Sequence, residues 1–155
     1  MFGLDEILDL ALTNNKALDV NQQNKLGHTP VYLAAALGRS STVKLLVEHG
    51  ANINTVGGRL GSPLHAASFS GHTAVVESLL QLGADANCAK IDFCGLYGDA
   101  LQAAAANGHV SVARLLLEEG ANISQRAGFY GTALQAAAYH GHIDMVELLL
   151  DWNAD

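Results

Sequence analysis

The residues of this 155-residue chain that could do chemistry are seven histidines, two cysteines and fifteen carboxylates. A zinc site would need three or four ligands at tetrahedral spacing. His140 and His142 are the one close histidine pair, and no third ligand accompanies them. Cys88 and Cys94 lie either side of Ala-Lys-Ile-Asp-Phe, where they could pair across a hairpin or stand as two thiols. Two cysteines in a chain of this length make no disulfide framework, and free thiols in a loop are the preferred reading. The carboxylates are scattered at surface spacings. No Gly-rich phosphate loop, H-E-x-x-H or G-x-S-x-G occurs. The sequence therefore predicts no enzyme, no cofactor and no metal.

Composition narrows the partners. Half the residues are apolar, which excludes a disordered chain, and no apolar run approaches the roughly 20 residues of a membrane helix. The opening MFGLDEILDL carries acids where a signal peptide carries lysine or arginine, so a cytoplasmic location is expected, with the nucleus as the other compartment open to it. A net charge of -7 repels phosphate backbones and anionic headgroups, so neither nucleic acid nor membrane is an expected partner. Sixteen glycines are too many for a plain helical bundle.

A repeat accounts for them. Thr29-Pro30-Val31-Tyr32-Leu33-Ala34-Ala35 returns as Ser62-Pro63-Leu64-His65-Ala66-Ala67-Ser68, as Asp99-Ala100-Leu101-Gln102-Ala103-Ala104-Ala105 and as Thr132-Ala133-Leu134-Gln135-Ala136-Ala137-Ala138. Gly38, Gly71, Gly108 and Gly141 keep the same intervals, as do Gly50, Gly83, Gly120 and Asn153. Thr29, Ser62, Asp99 and Thr132 suit helix N-caps, and Pro30 and Pro63 suit the first helical position. Each first helix is expected to stop at the next glycine, where a left-handed residue is needed. A second helix follows, with apolar spacing such as Val112, Leu115 and Leu116, and ends at the second glycine or at Asn153. Helices this short are unstable alone, so stability must come from stacking.

With Gly27-His28-Thr29-Pro30, Ser62-Pro63-Leu64-His65, Gly71-His72, Gly108-His109, Gly141-His142 and the Gly-Ala-Asn or Gly-Ala-Asp runs, the chain resembles the ankyrin-repeat family over residues 25 to 155. That resemblance implies an all-α ankyrin-repeat solenoid, stacked helix-turn-helix units joined by β-hairpin-like loops. The expected division is one domain over 1–155, with a partial repeat at 1–24 and repeats at 25–57, 58–90, 91–127 and 128–155. The third holds a four-residue loop insertion, and the last is read as truncated. Leu4, Ile7, Leu8, Ala11 and Leu12 form the apolar stripe of the partial repeat's helix. Repeats three and four carry Leu96-Tyr97-Gly98 and Phe129-Tyr130-Gly131 before Ala-Leu-Gln-Ala-Ala, a pattern similar to ankyrin arrays of filamentous fungi, often found downstream of NACHT nucleotide-binding modules in NOD-like receptor proteins.

The resemblance also implies a role. His65, His72, His109 and His142 fall at positions where the family uses histidine structurally. A protein or peptide partner is expected along the concave side, on the first-helix ends and the fingers between repeats. By register these hold Leu37, Phe69, Asn107, Tyr139 and His140, then Arg59, Leu60, Leu96, Tyr97, Phe129 and Tyr130, with Phe93 beside Ile91 in the inserted loop. Leu37, Phe69 and Tyr139 would form a ladder interrupted by Asn107. For Tyr97 and Tyr130 a framework role, packed on the next Ala-rich helix, is preferred to direct contact with a partner. A different role is assembly into a homo-oligomer through the terminal repeat, whose Met145, Val146, Leu148, Leu149, Leu150 and Trp152 lack a following repeat to cover them.

Overall fold

A computed structural model describes residues 4–15, 18–57, 60–88 and 97–154; Arg59, Ile91, Phe93, Cys94 and Leu96 lie outside the described residues. Among the described residues the chain forms nine helices and no extended strand. They are α1 (Leu4–Asn14), α2 (Pro30–Ala36), α3 (Ser40–Glu48), α4 (Pro63–Phe69), α5 (Thr73–Gln81), α6 (Ala100–Ala106), α7 (Val110–Glu118), α8 (Ala133–His140) and α9 (Ile143–Asp151). The even-numbered first helices stack in one row, α2 on α4 on α6 on α8. The second helices stack in a row behind them, from α1 through α3, α5 and α7 to α9. The result is an all-α repeat solenoid.

Local chemistry sets every start and stop of the first row. The side chains of Thr29, Ser62, Asp99 and Thr132 each accept a hydrogen bond from the backbone amide three residues on, at 2.8 to 3.4 Å. That satisfies one of the orphan donors of each helix. Gly141 closes α8 at φ +74, and Asn153 takes the left-handed conformation at φ +61 after α9, where the earlier repeats use glycine. The second helices begin at Arg39, His72, His109 and His142, none of which caps through its side chain.

Those three histidines are spent between repeats instead. The Nε2 atoms of His72, His109 and His142 lie 3.0 to 3.1 Å from the carbonyl oxygens of Ala36, Phe69 and Ala106, at the end of the preceding first helix. Each ring lies over the preceding glycine so closely that a Cβ built on Gly71 would stand 2.7 Å from His109. A second set of clips joins the exit loops. Asn21, Asn54 and Asn87 accept from the backbone amides of Asn52, Asp85 and Asn122, at 2.7 to 3.0 Å. The side-chain amides of Asn21 and Asn87 also donate to Gly50 and Gly120.

The core runs the length of the stack. Leu46, Leu64, Leu79, Leu101, Leu116 and Leu149 are buried between layers, each contributing about 2 kcal/mol by leaving water. Alanines such as Ala67, Ala104 and Ala137 let the first helices approach closely.

At both ends the packing departs from the expected stripes. On α1 Leu8 and Leu12 pack against the core, while Ile7 and Ala11 are exposed. The face turned to α3 is half polar. Asp5 accepts from the hydroxyls of Ser41 and Thr42, and Asp9 meets His49 Nε2 at 2.8 Å. On α9, Met145, Leu148 and Leu149 are buried against the preceding layers. Ile143, Leu150 and Trp152 carry the exposed apolar surface there.

Candidate functional site

The fingers are hairpins in miniature. Gly57 pairs with Gly61, Ala127 pairs with Gly131, and Tyr97 pairs with Gly128 of the next finger. Two finger tyrosines then fold back over the first helices. Tyr97 is 8% exposed and packs with Ala103, Ala106 and Ala136, with Leu60, Phe69 and Tyr130 around its edge. Small alanine side chains on α6 and α8 leave the room that the ring fills.

From that floor an aromatic run extends across the repeats. Phe69 and Tyr97 have ring centroids 5.4 Å apart, Tyr97 and Tyr130 5.9 Å, and Tyr130 and Tyr139 5.3 Å. Phe129 stands edge-on to Tyr130 at 5.1 Å. These separations and tilts are those at which aromatic pairs attract through their quadrupoles. Burial, with neighbouring Tyr97 and Tyr139, pushes the Tyr130 phenol above its ordinary range, so at neutral pH it keeps the proton. Its hydroxyl shares a hydrogen bond with His140 Nε2 at 3.0 Å.

This arrangement sorts the expected contact residues. Phe129 and Tyr139 are more than 70% exposed, with His140 exposed beside Tyr139 at the end of α8, and Leu37 is exposed at the end of α2. Phe69, Leu60 and Tyr130 are half-buried. Tyr97 takes the framework position, its ring buried as the floor of this surface. The ladder also takes another path. Continuity runs through the finger tyrosines, and Asn107 turns its side-chain amide back to the Ala103 carbonyl at 2.9 Å, completing the end of α6. Leu37 is not part of the aromatic run.

Two contributors escape a reading by residue type. Leu33 is 40% exposed at the register position that holds Ala66, Ala103 and Ala136 in the later repeats, and so extends the surface in an aliphatic direction toward Leu37 and Leu26. The irregularity at that register position was the available signal. The other is Gln102, fully buried on α6. Its Oε1 accepts from the Gly98 amide at 3.0 Å, and its Nε2 donates to Asp99 at 3.2 Å and to the Gly131 carbonyl at 2.9 Å. Gln102 therefore holds two fingers in register beneath the aromatic run.

The reactive side chains found in the fold are occupied structurally. Ser62 Oγ and His65 Nδ1 are 2.8 Å apart, yet both residues are 1% exposed, so no substrate reaches the hydroxyl. Burial pushes the Cys88 thiol up, leaving it a poor nucleophile. Among the described residues no group of three His, Cys, Asp or Glu side chains could hold a metal ion, and no helix is long and apolar enough to cross a membrane.

Comparison with known proteins agrees with this geometry. A family model described as ankyrin repeats, three copies, matches residues 1–90 and again 90–155. An inactive serine/threonine-protein kinase, TEX14 of Bos taurus, is 39% identical over 70 residues, 45% of this chain and 5% of that protein. Alpha-latrocrustotoxin-Lt1a of Latrodectus tredecimguttatus is 44% identical over 62 residues, 39% of this chain and 4% of the toxin. The palmitoyltransferase Hip14 of Drosophila melanogaster is 35% identical over 77 residues, 49% of this chain and 12% of that protein. The chain thus spans a small fraction of the length of the curated relatives it matches.

Proposed function

Because this chain belongs to the ankyrin-repeat family, whose members are generally protein-interaction modules, we propose that its concave face and fingers bind a protein or peptide partner. One observation carries the reading: Phe129 and Tyr139 stand more than 70% exposed, each packed against Tyr130 at the end of the aromatic run. Exposed rings on a rigid support are the usual anchors of an interface, and a preformed surface loses little freedom on binding. Leu37, Phe69, Tyr130 and His140 complete the contact set, and no chemical step is part of the role. Phe69→Ala with Tyr139→Ala is the pair suggested by the repeat register, but Phe69 is half-buried, so Phe129→Ala with Tyr139→Ala is the cleaner test. In a pull-down read by mass spectrometry, the double variant loses partners that the wild type retains, with its urea midpoint unchanged. An identical partner set from both proteins would overturn the reading.

The short share of each relative supports a further part of the proposal, that the module works within a larger scaffold or receptor-like protein. The Tyr97-Gly98 and Tyr130-Gly131 turns support a fungal NACHT-associated type of array. A second reading, end-to-end assembly, is favoured by the apolar side chains exposed at opposite ends of the stack, Ile7 and Leu10 on α1 and Ile143 and Leu150 on α9. Light scattering at high concentration separates the two, since a strict monomer rules out assembly.

A further inference from the structure

The charge of this protein is divided between its two faces. Of fifteen acidic residues, only Asp92 and Asp99 fall in the finger and first-helix stretches 22–38, 55–71, 88–108 and 125–141. The same stretches hold four of the eight basic residues, Lys25, Arg59, Lys90 and Arg126. The other thirteen acids lie on second helices, exit loops and the first two dozen residues. Asp99 is 4% exposed and occupied as a helix cap. Among the described residues of these stretches no carboxylate is exposed, whereas Lys25, Arg126 and His140 are, and neither Lys25 nor Arg126 has an ion-pair partner. A chain of net charge -7 thus presents a finger side that is locally cationic.

The same side holds Leu26, Leu33, Leu37, Phe129 and Tyr139 among its exposed apolar groups. Aliphatic side chains lie toward the first repeat, and aromatic ones toward the last. We infer that the concave face takes an acidic peptide segment carrying interspersed leucine or aromatic residues, its apolar side chains on Leu37, Phe129 and Tyr139 and its carboxylates toward Lys25, Arg126 and His140. This rests on the concave-face binding proposed above. The acidic second-helix row repels such a segment from the opposite face, so charge selects the side as well as the partner. A basic peptide is drawn to that opposite row instead.

The test uses two fluorescein-labelled peptides of about twelve residues with the same leucine and phenylalanine content, one glutamate-rich and one lysine-rich, read by fluorescence anisotropy. The glutamate-rich peptide is expected to bind and to lose about tenfold or more in affinity in Lys25→Glu with Arg126→Glu, and again in Phe129→Ala with Tyr139→Ala. Raising salt from about 0.05 M to about 0.5 M weakens it, because these charges are exposed. Any binding of the lysine-rich peptide is expected to be indifferent to both pairs of substitutions. All four residues are exposed, and unchanged urea midpoints confirm that the variants fold. No binding of the glutamate-rich peptide, or binding that ignores Lys25→Glu with Arg126→Glu, overturns the inference. A lysine-rich peptide that is lost in Phe129→Ala with Tyr139→Ala also overturns it, while leaving the concave face as a binding surface.

Discussion

The side-chain amide of Gln102 donates to the backbone carbonyl of Gly131, 2.9 Å away and 29 residues along the chain. That bond ties the last finger to the repeat before it, and the same side chain satisfies Gly98 and Asp99. Replacing it with an apolar side chain leaves several buried polar groups unpaired at once. Gln102→Leu is expected to lower stability by about 2–4 kcal/mol, seen as a fall in the urea midpoint. A loss below about 0.5 kcal/mol would show that the network is dispensable.

Asp99 makes stability depend on pH in an unusual direction. Burial pushes its carboxyl up to about 6, against the opposing pull of hydrogen bonds from Gln102 and Leu101. Unfolded, it titrates near 3.9. The folded chain binds this proton more readily than the unfolded one, so Asp99 favours folding more as pH falls from about 6 toward about 4. Asp99→Ser keeps a cap of the kind seen at Ser62 and removes the ionisable group. Between pH about 7 and about 4.5, the stability difference between wild type and Asp99→Ser should move toward the wild type by on the order of 2 kcal/mol. The histidines cancel in that difference. A constant difference would show that Asp99 is not perturbed.

Ser68 Oγ is fully buried without a hydrogen-bond partner among the described residues, at a register position where the other repeats have Ala35, Ala105 and Ala138. Ser68→Ala removes an uncompensated hydroxyl at almost no change in shape. A gain of about 1 kcal/mol in stability is expected, measured by urea unfolding. A loss of similar size would mean that the hydroxyl has a role in the native state.

Phe69 and Tyr139 share a register position but not an environment. Phe69 is half-buried against Tyr97, and Tyr139 is 71% exposed. Phe69→Ala should cost about 1–2 kcal/mol of stability, and Tyr139→Ala less than about 0.5. Equal costs would place both rings in the same role.

How much of this was legible depends on how far a residue's partner lies along the chain. Thr29, Ser62, Asp99 and Thr132 cap amides three residues away, and Gly38 or Asn153 turn their own backbone, so type and spacing suffice to find them. On α1 the expected stripe holds at Leu8 and Leu12 but not at Ile7 and Ala11, because Asp5 and Asp9 face α3, where Ser41, Thr42 and His49 receive them; a polar contact breaks the apolar period. Tyr97 could be read as framework from its turn, but not how deeply it is covered, because Ala103, Ala106 and Ala136 come from α6 and the next repeat's α8. Gln102 showed only as the glutamine of a recurring Ala-Leu-Gln-Ala-Ala, and its role was hidden because its partners are brought in by stacking.

The asparagine clips end unevenly. Asn21, Asn54 and Asn87 each grip the next exit loop, but in the fourth place the chain has Ser124, which lacks the side-chain amide. A stack held by identical rivets would part anywhere when pulled along its axis. This one has a grain: the α8–α9 layer is the seam expected to part at the lowest force, and Trp152, the sole tryptophan, sits on the far side of that seam as a built-in fluorescent marker of its opening.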